Sequence, residues 1–331
     1  MLYSILVLAA VMAPQLVEAK TWKATVGAQS KDLGRQALAF LPNEVWVHTG
    51  DSLTWTFGTN ELHTVTFLKQ DTTPQQTRPA NTAGCPTPPA SGPDGRTPDF
   101  STFDGSTCVN SGREMSGTYT VTFPNPGNFK VVCLIHANMT GAVHVLDQSE
   151  PLPYDQRSYD FLANRQAKEL LSGGARLSGQ ATSTAEQAGP NAISAGTGEV
   201  VATGGGSNSL AVMRFLRETI VIHKGDTVEW TNLDPVTPHT ITFGTEPMNT
   251  NPPSGNVTVG PDGAREATIA SLDDSVHSGF IQAAPQDRTN LAQTPLGVTR
   301  FRITFNTPGT FNYICALHDE LGMVGKVIVR P

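Results

Sequence analysis

The chain is short of charge, of cysteine and of long apolar runs, and each shortage excludes something. Lys, Arg, Asp and Glu make up 15% of its 331 residues, with a net charge of −7 that gathers in no block. A nucleic-acid partner, which calls for a basic face, is excluded, and the balance says little else about partners. The one notable apolar run, Ile5–Met12, is too short to span a bilayer. It ends at Val17-Glu18-Ala19, which suits signal-peptidase cleavage, although no Lys or Arg precedes it. Residues 1–19 therefore read as a cleaved secretory signal, with an uncleaved N-terminal anchor as the competing reading. No other segment could cross a membrane, and the mature chain is expected outside the cytoplasm, periplasmic or secreted.

What is abundant is turn chemistry: 31 glycines and 24 prolines, the mark of β architecture rather than helices. The length suits about two domains at roughly 150 residues each. An internal repeat agrees. Phe40-Leu41 through Val47-His48-Thr49-Gly50-Asp51 and Trp55 match Phe215-Leu216 through Ile222-His223-Lys224-Gly225-Asp226 and Trp230. His63-Thr64-Val65-Thr66-Phe67 matches His239-Thr240-Ile241-Thr242-Phe243. Pro126-Gly127, Cys133, His136, Met139 and Gly141 match Pro308-Gly309, Cys315, His318, Met323 and Gly325. The offset is 175 residues at Phe40/Phe215 and 182 at Cys133/Cys315. So long a period means two whole domains rather than solenoid units.

Only four cysteines occur. Cys133 and Cys315 are repeat-equivalent, and each is followed by a His and a Met. Cys85 and Cys108 fall in a Pro/Gly/Thr-rich insertion of the first copy alone. An exported compartment permits disulfides, so Cys85 is expected to pair with Cys108. The competing pairing, Cys133 with Cys315, would leave the repeated His and Met unexplained.

In chain order, strands are expected over 22–26, 37–47, 52–57, 61–68, 118–123, 128–133 and 142–146. The stretch 70–117 is a long loop of a length that calls for a function or a staple. Asp155–Leu171 is the one convincing helix, with Tyr159, Leu162, Ala163, Gln166, Ala167 and Leu170 on one stripe and Ser172-Gly173-Gly174 stopping it. Residues 180–198, rich in Ala, Thr, Ser and Gly, read as a flexible linker. A second set of strands follows from 199, with a loop over 244–298. The fold class is all-β, two tandem Greek-key β-sandwich domains joined by a linker with one helix. The expected division is 20–147, a linker over 148–198, and 199–331.

Thiolate, imidazole and thioether side by side, as at Cys315, His318 and Met323, make the ligand set of a blue-copper site: a His₂Cys plane with a long axial Met. Three of the four ligands lie in one short loop, and the upstream histidine comes from the His-Thr-aliphatic-Thr-Phe strand. Both copies resemble cupredoxins, the family of plastocyanin, amicyanin and azurin, over roughly 21–147 and 199–331. The spacing Cys315-x₂-His318-x₄-Met323 is plastocyanin-like, and Cys133-x₂-His136-x₂-Met139 is amicyanin-like. Carried over residue by residue, the resemblance implies one site of His63, Cys133, His136 and Met139 and another of His239, Cys315, His318 and Met323. It implies two type-1 copper ions per chain. Four protein ligands leave no open position for a substrate, so single-electron transfer with redox protein partners is expected. His136 and His318 are expected to be exposed among Leu134, Ile135, Ala316 and Leu317, forming the docking patches.

Copper nitrite reductases and multicopper oxidases also repeat cupredoxin domains, but they commonly place a His beside the ligand Cys or carry His-x-His pairs. Here Val132 and Leu134 flank Cys133, Ile314 and Ala316 flank Cys315, and no His-x-His occurs. The spare histidines have ordinary readings: His48 and His223 as strand-edge residues, His277 in a loop, His144 packed on a strand. An extra copper at His48 and His223 is the minor alternative. Met115, Met213 and Met248 form no cluster of the copper-sequestering kind. Trp55 and Trp230 are expected in the two cores, and Thr64, Thr66, Thr240 and Thr242 are expected to face outward. Copper storage, delivery or resistance remains open as a rival role, and the oligomeric state is not legible.

Overall fold

A computed structural model describes residues 18–69, 100–136, 138–250, 252–283 and 298–331. The expected signal segment before residue 18 and Cys85, the partner assigned to Cys108, lie outside the described residues. Among those described, no helix is long and apolar enough to cross a membrane.

The two copies are built alike. In the first, β1 (Thr21–Gln29), β2 (Arg35–Leu41), β4 (Ser52–His63), β6 (Phe100–Thr102) and β8 (Glu114–Thr122) form one sheet in the order β2-β1-β4-β8-β6. The facing sheet runs β3-β10-β9-β5-β7, from β3 (Glu44–His48), β5 (Thr66–Phe67), β7 (Val109–Asn110), β9 (Gly127–Val132) and β10 (Thr140–Leu146). The second copy repeats both orders. Its first sheet holds β11 (Ala192–Thr203), β12 (Gly206–Leu216), β14 (Thr227–Leu233), β16 (Thr258–Val259), β17 (Arg265–Ile269) and β19 (Arg300–Phe305). Its second runs β13-β21-β20-β15-β18, with β13 (Thr219–His223), β15 (Thr242–Phe243), β18 (Val276–His277), β20 (Gly309–Ile314) and β21 (Val324–Arg330). The all-β, two-sandwich expectation is met.

The strands form because alternation is strict. In β4, Leu53, Trp55, Phe57, Thr59, Glu61 and His63 all point inward, while the intervening residues are half-buried or exposed. Each sandwich closes on aromatics. Phe67 packs against Trp55, Phe103 and Phe123 in the first, and Trp230 against Phe243, Phe301 and Tyr313 in the second. Trp55 and Trp230 are core residues, as expected.

The linker departs from expectation. A helix α1 (Gln156–Ser172) sits where one was read, capped by the Asp155 carboxylate, which accepts the Ser158 N–H at 2.8 Å. Gly173 interrupts it, but a second helix, α2 (Gly174–Ala188), follows at once. The supposed flexible linker over 180–198 is thus helix and then β11. Leu177, Ala181 and Ala185 recur on one face of α2, and Leu177 packs on Leu210 and Val212. The Ala/Thr/Ser composition hid this stripe, because alanine serves a buried helix face as well as it serves a loop. Residues 244–298, read as loop, also contain β16, β17 and β18, and the described end of 70–117 contains β6 and β7.

The two sandwiches share an edge. β12 pairs antiparallel with β2, with Leu210 opposite Ala37 and Val212 opposite Arg35. Asn43 donates to the Asn208 Oδ1 (2.8 Å) and to the Thr140 carbonyl (2.6 Å). The Arg214 guanidinium donates to the carbonyls of Asp32 and Leu321, each at 2.6 Å. Helix α1 lies on β1 and β2, and α2 on β11 and β12, so both roof the shared edge. The relation between the copies is fixed by hydrogen bonds.

Candidate metal centres

In each copy an upstream histidine meets a tight loop between two paired strands; in the second it is His239, on an isolated bridge to Ile281 past the end of β14. His63 is the last residue of β4. Cys133, His136 and Met139 occupy the connection between β9 and β10, and the Cys133 N–H donates to the Met139 carbonyl at 3.0 Å. Asn138, at φ 64°, makes the left-handed step just before Met139, a conformation asparagine tolerates. In the second copy, Gly322 (φ 85°) makes the same step before Met323, after one turn of 3₁₀ helix over Asp319–Leu321. There the Cys315 N–H donates to the Met323 carbonyl at 3.0 Å.

The structure brings His63, Cys133 and His136 together, and likewise His239, Cys315 and His318; within each trio the donor atoms lie within 4.8 Å of one another. In the first, the Cys133 Sγ lies 3.7 Å from the His136 Nδ1. In the second, the Cys315 Sγ lies 3.4 Å from the His318 Nδ1 and 3.9 Å from the His239 Nδ1, and the two Nδ1 atoms are 3.2 Å apart. Met139 and Met323 are fully buried. Among the described residues no other group of three or more His, Cys, Asp or Glu ligand atoms converges in this way.

Two expectations are corrected. His136 and His318 are not exposed: they are 3% and 4% accessible, and Glu61 faces the outer nitrogen of each. Nor do the threonines face outward; Thr64, Thr66, Thr240 and Thr242 are buried. The chain bends after each His, and Thr64 and Thr240 tie that bend to the Cys loop. Each backbone N–H points at the sulfur (Thr64 to Cys133, 3.5 Å; Thr240 to Cys315, 3.3 Å), and each hydroxyl accepts the next loop N–H, from Leu134 and from Ala316, at 2.8 Å. Such donors steady a thiolate and tune whatever it ligates.

Sequence reading also missed two glycines and two carboxylates. Gly27 (φ 73°) and Gly196 (φ 78°) sit at irregular steps in the β1–β2 and β11–β12 pairings. A Cβ at Gly27 would lie 2.7 Å from the His63 Nε2, and one at Gly196 would lie 2.1 Å from the His239 Nε2. The signal was weak, since Gly27 lies just past the strand read over 22–26 and Gly196 inside the stretch read as linker. Asp234 puts a carboxylate oxygen 3.6 Å from the His239 Nε2, with neither side chain accessible to solvent. Glu61 receives the His136 Nε2 at 3.2 Å. Alternation turns Glu61 inward on β4 but names no partner for it, and Asp234 lies just past the end of β14, so neither role was legible.

The electrostatics of the two trios follow from this packing. Burial by itself would raise both thiols, but the adjacent imidazoles override it and hold Cys133 and Cys315 well below the ordinary thiol range. Burial pushes His63 down. Burial would push His136 down too, but Cys133 and Glu61 bring it up to about 10. His239 is likewise raised to about 9 against its burial, by Asp234 and Cys315. Burial would raise Glu61, yet the His136 bond and the neighbouring imidazoles bring it down to about 2.

A pH signature follows. Glu61, depressed, adds stability that is full above its ordinary 4.5 and is lost as pH falls toward about 2. His136, raised, adds stability that is full below its ordinary 6.5 and is lost as pH rises through about 10. The thermal midpoint of the metal-free protein should therefore exceed that of Glu61→Gln most widely between these ordinary values, with the gap closing on either side. A gap independent of pH would contradict the pairing.

The spare histidines do structural work. The His48 Nε2 meets the Glu150 carbonyl at 2.7 Å, and His223 is an exposed edge residue. His144 stacks on Trp46 and meets Asn128 and Glu44. His277, expected in a loop, is buried on β18 between Thr242 and the Thr250 carbonyl.

The family profile described as "Copper binding proteins, plastocyanin/azurin family" matches residues 200–330. Among solved structures, the chain is similar to a plastocyanin from Dryopteris crassirhizoma (17% identity, 42% of this chain and 99% of that one, TM-score 0.21). It is also similar to a purple cupredoxin from Nitrosopumilus maritimus (23%, 42% and 97%, TM-score 0.20) and to an amicyanin from Paracoccus versutus (23%, 36% and 74%, TM-score 0.19).

Proposed function

We propose, for a chain whose residues 200–330 match the profile of the plastocyanin/azurin family of copper binding proteins, that it holds two type-1 copper ions and carries single electrons outside the cytoplasm. The observation that carries this reading is the pair of buried thiol–imidazole trios, each beside a buried methionine. The donors fit the metal. Cys133 and Cys315 are free. Neither ring nitrogen of the buried His63 makes a hydrogen bond, and buried polar atoms seldom go unpartnered.

His63, Cys133, His136 and Met139 would hold one ion, and His239, Cys315, His318 and Met323 the other. Copper held by such a set supplies a one-electron couple tuned by the sulfur ligands. The protein's part is to keep the donors in place through either oxidation state. Thr64 and Thr240 brace the sulfurs, and the sandwiches fix the strands. Chain segments 20–147 and 199–331 are the two copper domains, with 1–19 an export signal and Cys85–Cys108 a staple on the first. Redox proteins of a periplasmic or extracellular space are the partners.

The two sites differ, because the first has no counterpart of Asp234. A carboxylate near a ligand imidazole favours the more positive oxidised ion, so the Cys315 site should have the lower potential. A reductive titration of the oxidised protein, followed in the visible, should show two one-electron waves. Asp234→Asn should raise the lower wave alone. Irreversible reduction with loss of the metal would instead favour the rival reading, copper storage or delivery, which the burial of His136 and His318 also suits. More than two coppers per chain would point to an enzyme.

A further inference from the structure

His136 and His318 come from different copies, yet their outer nitrogens face the same carboxylate. Strict alternation along β4 puts Glu61 on the inward face with His63, at the junction of the two sandwiches, where it is 8% accessible. Its Oε1 lies 3.2 Å from the His136 Nε2 and its Oε2 lies 3.8 Å from the His318 Nε2. The inner nitrogen of each imidazole faces its own thiol, at 3.7 Å for His136 and 3.4 Å for His318. Cys133, His136, Glu61, His318 and Cys315 thus form one buried line with no gap wider than 3.8 Å. The junction is held by β2–β12 pairing, by Arg214 bridging the Asp32 and Leu321 carbonyls, and by Ser207, which donates to the Asn138 carbonyl of the first ligand loop at 2.6 Å.

We propose that Glu61 is a positioning residue shared by both centres, and that His136–Glu61–His318 is an internal route by which one electron passes between them. The inference rests on the copper reading above and names the first redox partner of each site: the other site in the same chain. Held at its outer nitrogen, each imidazole turns Nδ1 toward its own thiol, where it would be free to ligate a metal. Glu61 thereby fixes both rings at once and keeps solvent from between them. The exchange is balanced, since the electron lost by the reduced ion is gained by the oxidised one, with no proton or third reactant. Electrons from outside enter by some surface other than the ring edges of His136 and His318.

The test compares copper-loaded wild type with Glu61→Gln and Glu61→Ala. Copper content and the visible band are read first. After a radiolytic pulse that reduces a fraction of the centres, the wild type should re-equilibrate between its two sites at a rate independent of protein concentration. Glu61→Ala should slow this step by about 10–100-fold, the usual cost of losing an outer partner of a metal ligand, with Glu61→Gln in between. A second readout needs no turnover. In nitrogen-resolved NMR of the metal-free protein, the Nε2 signals of His136 and His318 should both move in Glu61→Ala. Wild type without coloured copper would sink the copper reading and the route with it. Two coloured centres whose exchange ignores Glu61, or a His318 signal that stays put, would overturn the route alone.

Discussion

Cys315→Ser should keep one coloured centre and lose the other, and Cys133→Ser should do the same with the roles reversed. Each thiol lies in its own cluster, and a serine hydroxyl at pH 7 is neither an anion nor a soft donor, so it cannot replace the thiolate. Each variant should bind about half the copper of the wild type and keep about half of its thiolate-to-metal band, since the two clusters share no ligand. Folding should survive, because the sulfur is a small part of either core and both sandwiches close on many other buried aromatics. The shared Glu61 makes the cycle informative: Cys133→Ser should shift the potential of the Cys315 centre slightly, since emptying one site removes a positive ion from beside their common carboxylate. A double variant with full colour would refute the assignment of both sites.

Gly196→Ala should be the most damaging glycine-to-alanine change among the described residues. Its φ of 78° costs an L-residue about 1–2 kcal/mol by itself. The new Cβ would then sit 2.1 Å from the His239 Nε2 and 2.5 Å from its Cδ2. The ring cannot swing away, being wholly buried with Asp234 behind its outer nitrogen. Overpacking of this kind costs about 1–3 kcal/mol more. The variant should melt several degrees lower and lose copper at the Cys315 site while keeping it at the Cys133 site. Gly27→Ala should reverse the pattern more mildly, because its nearest atom, the His63 Nε2, would be 2.7 Å away. Metal analysis and thermal unfolding of the two variants, side by side, check this.

The sandwiches and trios were legible because their signals are local and doubled. A Cys, a His and a Met sit in one loop, the histidine strand precedes them, and the second copy repeats the arrangement. Helix α1 showed itself by a stripe that includes Tyr159 and Leu170, both buried as read. Helix α2 stayed hidden because its buried face is mostly alanine. What sequence could not carry was anything created by the two copies meeting. His136 and His318 read as exposed because each is judged within its own domain, whereas Glu61 of the first copy reaches both. Glu61 reads as one polar residue among others until a second imidazole arrives from 257 residues further along the chain. Thr64 and Thr240 read as outward by alternation, but β4 ends at His63 and His239 stands on an isolated bridge, so the period no longer applies.

The most direct measurement is elemental analysis of copper on the oxidised, mature protein together with its visible spectrum. Two coppers per chain, both under an intense thiolate-to-metal band that bleaches reversibly on reduction, is the predicted result. Copper bound without that band, or a single ion per chain, would contradict the assignment of two type-1 centres to the His63–Cys133–His136 and His239–Cys315–His318 clusters.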